Sequence, residues 1–144
     1  VTPTIKDDKE KNTFHQSLRK MCDRYNKNYY KKYKKWCDEY FFLHHRNEAR
    51  GIGGIFFDYK KNNFREDFKF VRDVGVTFQM IFNNIIEKKI KKKWTVKDKE
   101  MQYIKRSRYA EFNLLYDRGT KFGLQTGGNV EGILMSLPPV DKRK

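Results

Sequence analysis

The scarcity of cysteine and the lack of long apolar runs exclude several classes of protein. Only two cysteines, Cys22 and Cys37, occur among 144 residues, and they form neither a Cys-x-x-Cys pair nor a spacing typical of zinc sites. We interpret both as ordinary buried thiols in a reducing compartment. No apolar run is long enough for a transmembrane segment, and no signal-peptide pattern opens the chain. We expect a cytoplasmic protein, or an organellar one if a targeting signal precedes Val1.

The formal net charge of +15 by itself suggests that the protein binds nucleic acid or an anionic membrane surface. Most of the excess is lysine, concentrated at 31–35 and 88–93, whereas phosphate and base recognition favours arginine within a recognisable module. None of the common module signatures is present. We therefore interpret the lysine runs as solvated helix faces and expect no nucleic-acid partner. A basic RNA-binding module stays open as an alternative.

Apolar spacing predicts helices early in the chain and strands late. Residues recurring at intervals of three and four indicate amphipathic helices at 9–27, 29–42, 65–92 and 97–105. The predicted strands are Ile55–Phe57, Tyr109–Tyr116, Phe122–Thr126 and Val130–Leu137, and turns at Asp117–Lys121 and Gly127–Asn129 join the last three. No proline-rich or serine-rich linker interrupts the chain. The predicted fold class is therefore α+β, in one unit.

Residues 109–139 form a low-charge stretch in an otherwise lysine-rich sequence. Its charged residues are Glu111, Asp117, Arg118, Lys121 and Glu131. Asp117 and Arg118 stand side by side directly after an apolar run. An acid and a guanidinium at the end of an apolar strand are costly to desolvate, so they tend to occur where chemistry or ligand binding needs them. A plain Asp-Arg-Gly-Thr turn without chemistry is the alternative interpretation.

Several long blocks of sequence carry a family resemblance. They are Phe14-His15, Lys35–Phe42, His45–Glu48, Arg50–Asp58, Glu111–Thr120, Phe122–Gly128 and Ile133–Pro139. Together, and in this order, they resemble the family of oxygen-dependent coproporphyrinogen III oxidases. The resemblance covers nearly the whole chain, and many ordered blocks are far more specific than a single glycine-rich motif.

The resemblance implies an oxidoreductase of haem biosynthesis. Such an enzyme converts two propionates of coproporphyrinogen III into vinyl groups, which gives protoporphyrinogen IX. Molecular oxygen is the co-substrate, and no organic cofactor is implied. The implied fold is a large, flat antiparallel sheet flanked by helices and assembled as a homodimer, with residues 109–144 expected at the dimer contact.

The resemblance also assigns roles within the low-charge stretch. Asp117 is expected to accept hydrogen bonds from the pyrrole N–H groups of the substrate and to assist their deprotonation. Arg118 is expected to hold a propionate or to stabilise charge that develops on reduced oxygen. Gly127, Gly128 and Asn129 match the substrate-contacting loop, in which glycines let backbone N–H groups approach a carboxylate. The family pattern has Arg where this chain has Asn129, and an ordinary turn is the alternative.

His15 and His45 align with positions proposed as metal ligands in bacterial relatives, so the resemblance makes them candidate ligands. Their separation gives no chelating spacing, and packed or solvated imidazoles are the alternative. We expect no cofactor and leave a metal requirement open. Arg46 and Arg50 are further candidate contacts for propionates, or simply ion-pair partners.

Two parts of the family pattern have no counterpart in this sequence. One is a segment with His followed at alternate positions by Asn and Arg, which carries the expected proton donor, and the other is the set of final helices after Pro139. We therefore expect residues 1–144 to be a single partial domain, the C-terminal portion of the family domain. Without the expected proton donor we predict that the polypeptide alone is inactive, and half a sheet would leave an unpaired edge that disfavours folding. A porphyrin-binding fragment without activity is the alternative function.

Overall fold

Helices dominate the computed structural model, which describes residues 1–142. The elements in chain order are α1 (Asp8–Asp23), α2 (Tyr29–Tyr40), β1 (Phe42–Leu43), a 3₁₀ turn (His44–Arg46), β2 (Glu48–Ala49), α3 (Phe64–Lys89), α4 (Val96–Leu115), α5 (Arg118–Gln125) and α6 (Val130–Leu134). Contacts divide the chain into two units. The first contains Val1, Lys6–Tyr40 and Ile52–Lys93, and the second contains Thr2–Ile5, Phe41–Gly51 and the described residues from Trp94 onward.

The first unit is a three-helix core in which α1 packs against both α2 and α3. Apolar residues that recur on one face of each helix meet there. They are Phe14, Leu18, Met21 and Cys22 of α1, Tyr30 and Tyr33 of α2, and Phe70 and Ile81 of α3. As predicted, Cys22 and Cys37 are buried thiols, and burial raises the pKa of the Cys22 thiol to about 11.

The second unit is built around α4 and a short hairpin. Strands β1 and β2 pair antiparallel, with Phe42 opposite Ala49. The 3₁₀ turn between them ends at Asn47, whose left-handed φ of 49° suits an asparagine. Leu43 of β1 and Phe112 of α4 are almost completely buried, so the hairpin and the helix share the apolar centre of this unit.

The four predicted helices are confirmed. Three of them match α1, α2 and α3 closely, and α4 begins one residue before its predicted start. Thr95 and Asp98 form a capping box at that point, because each side chain accepts a hydrogen bond from the other's backbone N–H. However, α4 continues to Leu115, well past the predicted end at Lys105. No helix among the described residues is both long and apolar enough to cross a membrane.

The predicted α+β fold class is wrong for the described residues, which contain a single sheet of two short strands and no large flat sheet. Most residues of the late strands predicted at 109–116, 122–126 and 130–137 lie instead in α4, α5 and α6, which end at Leu115, Gln125 and Leu134. Asp117 and Asn129, which were interpreted as turn residues, each accept a hydrogen bond from the backbone N–H three residues ahead and so begin α5 and α6. Short apolar runs look alike in a strand and in a buried helix.

The predicted strand Ile55–Phe57 is also absent from this structure. The segment is irregular, and the backbone N–H of Phe56 donates to the carbonyl of Tyr33 in α2, 3.1 Å away, instead of to a neighbouring strand. The Phe57 ring lies 5.1 Å from the Phe70 ring and 5.2 Å from the Tyr33 ring. An apolar run of three residues here completes a helical core. The prediction of one partial domain stays a prediction.

Phe70 and Phe68 give a matched pair for testing this core. Both lie on α3, but Phe70 is 1% exposed and Phe68 is 60% exposed. We expect Phe70→Ala to lower the free energy of unfolding by about 3–5 kcal/mol, because it removes buried area and leaves a cavity. Phe68→Ala should change it by less than about 1 kcal/mol. Urea titration followed by circular dichroism measures both, and equal losses would contradict the position of α3.

Candidate functional site

Asp117 lies where α4 ends and α5 begins. Its carboxylate is half-buried and accepts a hydrogen bond of 2.7 Å from the backbone N–H of Thr120. The backbone of Asp117 is extended, with φ −68° and ψ 122°, which is usual for a residue that caps a helix. Arg118 occupies the first turn of α5 and is exposed. The pair is therefore held by helix geometry and not by a strand.

Gly127 and Gly128 close the C-terminal end of α5. The backbone N–H of Gly128 donates to the carbonyl of Gly123 at 2.9 Å, and that of Gly127 donates to the carbonyl of Leu124 at 3.4 Å. Gly127 has a φ of +72°, as the Schellman arrangement at a helix end requires. Both N–H groups are therefore used within the helix end, so the predicted nest of N–H groups for a carboxylate is not formed in this structure.

Asn129 begins α6, and its side-chain oxygen accepts a hydrogen bond of 3.3 Å from the N–H of Gly132. The two helices approach closely at Ile133. A Cβ atom on Gly123 would lie 2.9 Å from Ile133 Cδ1, and one on Gly128 would lie 3.0 Å from the carbonyl oxygen of Gly123. A side chain at 123 would have to displace the flexible end of Ile133, whereas one at 128 would meet a backbone carbonyl, so packing restricts 128 more strongly than 123. The loop 127–129 itself is exposed.

Glu111 is the centre of a polar network between α4 and the hairpin of the second unit. Its carboxylate accepts hydrogen bonds from Arg46 Nε at 2.5 Å and from Arg46 Nη2 at 2.7 Å. The same Oε2 atom lies 2.9 Å from His45 Nε2. Arg108 Nη1 is 3.7 Å from Oε1. Since 65 residues separate Arg46 from Glu111, this contact fixes the hairpin on the helix.

The surroundings of Glu111 keep its carboxylate ionised. The side chain is only 11% exposed, and the hydrogen bonds from Arg46 outweigh the opposing effect of burial. As a result the pKa of Glu111 falls to about 2. The same hydrogen bonds raise the pKa of Arg46 above its ordinary value. The bidentate geometry is the strong form of an arginine–carboxylate pair.

His45 extends the network to Tyr116, the residue directly before Asp117. A carboxylate only accepts, so His45 Nε2 carries a proton and donates to Glu111. On the other side of the ring, the Tyr116 hydroxyl lies 2.9 Å from Nδ1 and also accepts from the backbone N–H of His45 at 3.2 Å. Both ring nitrogens of His45 are therefore engaged with protein groups.

Arg108 and Arg50 complete the polar and aromatic contacts around this network. Arg108 Nε donates to Glu48 of β2. The Arg50 guanidinium lies 4.2 Å from the centre of the Phe41 ring and 4.8 Å from that of Phe112. Cation–π contacts of this kind hold an arginine against apolar surface.

His15, the other candidate metal ligand, lies in the first unit. Its Nε2 atom is 2.8 Å from the carbonyl oxygen of Ile52, so that nitrogen carries the proton and donates. Nδ1 then accepts from the Tyr30 hydroxyl at 3.0 Å. Burial lowers the pKa of His15 below its ordinary value. Within residues 1–142, no three His, Cys, Asp or Glu side chains are grouped so as to hold a metal ion.

The sequence predictions located some of these residues but not their arrangement. Asp117, Arg118, Gly127, Gly128, Asn129 and His45 all belong to the second unit, whereas His15 belongs to the first. The roles of Glu111, Arg108 and Tyr116 were missed. Glu111 had one usable signal, because it is among the few charges of the low-charge stretch and lies one helical turn from Arg108.

Comparisons with known proteins bear on the whole chain. The sequence model of the family described as Coproporphyrinogen III oxidase matches residues 1–143. This chain is 53% identical over 143 residues to the oxygen-dependent coproporphyrinogen-III oxidase of Rickettsia typhi, which covers 99% of the chain and 51% of that protein. It is 55% identical over 140 residues to the protein of the same name from Rickettsia rickettsii strain Sheila Smith, covering 96% and 50%. The chain thus spans about half the length of these curated relatives.

Because Glu111 is held as a carboxylate, it should contribute a part of the free energy of unfolding that depends on pH. The substitution Glu111→Gln should remove that contribution. A folded pKa of about 2, below the ordinary 4.5, means that the carboxylate's contribution is complete above about pH 4.5 and is lost as the pH falls towards 2. We expect Glu111→Gln to lower the free energy of unfolding by about 1–3 kcal/mol at pH 7, because charged hydrogen bonds are lost. Denaturant titrations from pH 2.5 to 7 should show this difference shrinking in acid.

Glu100→Gln is the matched control. Glu100 is also on α4 but makes an exposed ion pair with Lys142, and exposed pairs contribute little. Its substitution should leave the free energy of unfolding nearly unchanged at every pH. A Glu111 difference that stayed constant down to pH 2.5 would contradict the assigned network.

Proposed function

Since the chain belongs to the coproporphyrinogen III oxidase family, we propose that it contributes to an oxygen-dependent coproporphyrinogen III oxidase of haem biosynthesis. In this reaction each propionate loses its carboxylate as carbon dioxide and a hydride equivalent from the carbon next to the ring, which leaves a vinyl group. Molecular oxygen takes up the two electrons and the proton of that hydride equivalent, together with one proton from solvent, as hydrogen peroxide. The observation that carries the proposal is the match over residues 1–143, and it favours an enzyme over an RNA-binding module.

We assign to Asp117 the role of accepting hydrogen bonds from the pyrrole N–H groups of the substrate. A carboxylate has two oxygens that together can accept several hydrogen bonds, so capping α5 is compatible with binding a ring of N–H donors. Its half-buried position limits competition by water. With the proton of a pyrrole nitrogen drawn towards Asp117, the ring gains the electron density that reaction with oxygen requires.

We assign to Arg118 the role of binding a propionate of the substrate or of stabilising negative charge on reduced oxygen. Arg118 is exposed in the first turn of α5, directly after the capping residue Asp117, and an arginine can hold a propionate with two hydrogen bonds. We also assign a substrate contact to loop 127–129. Because the N–H groups of its glycines cap α5, that contact falls to the side chain of Asn129 and to the exposed loop surface.

The assembly proposed for the complete enzyme is a homodimer, with residues 109–144 at the subunit contact. The family resemblance supports this proposal, and the last two of these residues lie outside the described part of the chain. A cytoplasmic location and the absence of a cofactor likewise stay predictions. The metal-ligand assignment of His15 and His45 is not carried into the proposal, because both rings already bond through both nitrogens.

Variants at Asp117 separate catalysis from helix capping. We would join residues 1–144 to the half of the Rickettsia typhi relative that they do not match, and measure protoporphyrinogen by fluorescence after oxidation. Asp117→Asn and Asp117→Ser keep a good capping side chain but lose the charge, so thermal unfolding should stay unchanged while turnover falls by about 10²-fold or more. Near-normal turnover in these variants would refute the role of Asp117.

Asp117→Ala is the complementary variant, since it removes the cap as well. It should lose turnover to the same extent and also about 1 kcal/mol of stability. The unsubstituted chimera and the intact relative serve as positive controls. Residues 1–144 alone should give no product, and turnover by this chain without its partner half would contradict our view that activity needs the complete domain.

A further inference from the structure

A cleft of about 270 Å³ lies in the second unit, apart from the residues assigned to catalysis. One wall is a face of α4 that carries Lys105, Arg106 and Tyr109. The other walls are the N-terminal residues Thr2 and Thr4 and the segment that follows α6, which contributes Ser136. The family resemblance assigns no ligand to this cleft, although its lining residues Tyr109, Ser136 and Pro138 lie in the range expected at the dimer contact.

Helical geometry explains why the α4 residues share one wall. Positions 102, 105, 106 and 109 are separated by intervals of three and four, which puts their side chains in one row along the helix. The segment after α6 also contributes Pro138, whose ring restrains the backbone two residues after Ser136. The cleft is therefore formed by regular and restrained backbone on two sides.

The charges lining the cleft are all positive. Lys105 and Arg106 face it, and none of the residues that line it is a carboxylate. Among residues 1–142, neither cation forms an ion pair. A cavity of the first unit gives the contrast, because its lysines are interleaved with Asp23, Asp38 and Glu39. By comparison, the positive charge in the second unit's cleft has no carboxylate among the lining residues to balance it.

The neutral groups of the cleft are mostly hydroxyl donors. Thr2, Thr4, Ser136 and Tyr109 each carry one O–H group, and Gln102 adds an amide. Hydroxyls beside a guanidinium and an ammonium are the groups that bind oxyanions, since the cations supply charge and the hydroxyls complete the hydrogen bonds. The volume lies near the lower limit for ligand sites, which selects a small ligand.

We propose that the cleft bounded by Lys105, Arg106, Thr2, Thr4 and Ser136 binds a small multiply charged oxyanion, of the carboxylate or phosphate class. Arg106 provides the planar pair of donors, and Lys105 provides a second point charge. This site does not depend on the proposed enzymatic activity, because it is defined by charge and hydroxyl groups in the second unit alone.

The test uses the 144-residue chain and two probes, inorganic pyrophosphate and tricarballylate, by calorimetric titration at about 0.1 M ionic strength. We expect saturable binding of at least one probe, with amide shifts in a nitrogen-15 spectrum concentrated at residues 102–109 and at Thr2, Thr4 and Ser136. Tighter binding of pyrophosphate assigns the phosphate class, and tighter binding of tricarballylate assigns the carboxylate class. Failure of both to bind below about 10 mM overturns the proposal.

The variant Lys105→Gln with Arg106→Gln should weaken binding at least tenfold. Its matched control is Lys97→Gln with Lys121→Gln, which removes the same charge from exposed positions of the same unit that do not line the cleft. The control should change affinity less than twofold because salt screens exposed charges. Equal losses of affinity in the two double variants would show that the probes respond only to the net charge of the protein, and would overturn the proposed site. Ser136→Ala, which leaves the charge untouched, should weaken binding about threefold because it removes a hydroxyl donor. Unchanged affinity would contradict the place of Ser136 in the site.

Discussion

The ion pair between Glu111 and Arg46 is the contact on which the second unit depends. It joins a hairpin to a helix that lies 65 residues later in the chain, and its low exposure makes each missing partner costly. His45 donates to the same carboxylate and contacts the Tyr116 hydroxyl, so the pair is the centre of a wider network. Asp117 follows Tyr116 directly at the end of α4, so this network lies next in sequence to the residue we assign to catalysis, although the ion pair itself has no part in the proposed chemistry.

Local sequence signals identified the early helices but misjudged the end of the chain. In α1 and α3 the apolar spacing extends over several turns, and this is the most reliable pattern in a single sequence. From Tyr109 onward the apolar runs are short and separated by Asp, Asn and Gly. These residues are as common at helix caps as in turns, so the choice between hairpin and capped helix depends on packing. In this structure the caps are those of helices, and Ile133 of α6 packs closely against Gly123 of α5.

The candidate site could be predicted as a set of residues but not as a geometry. Asp117 and loop 127–129 stand out because of their motifs, whereas Glu111 has no motif of its own and gains its importance from partners on a distant hairpin. The anion nest failed for a related reason, since the two glycine N–H groups were already required by the end of α5. A motif names which groups are present, and the fold determines which of them have capacity left for a ligand.

The three glycines around the α5–α6 corner differ in the replacements that each can accept. Gly127 needs a left-handed backbone, so asparagine is the natural substitute. Gly123 faces the flexible tip of Ile133, which can rotate away, but any side chain at Gly128 meets a backbone carbonyl that cannot. Variation among sequences should therefore be widest at 123 and narrowest at 128, and a change at 123 would be tolerated best together with a smaller residue at 133. The substitutions tolerated at this corner therefore depend on pairs of contacting residues, 123 with 133 and 128 with 123. The sequence of the loop cannot change independently of the two helices that it joins.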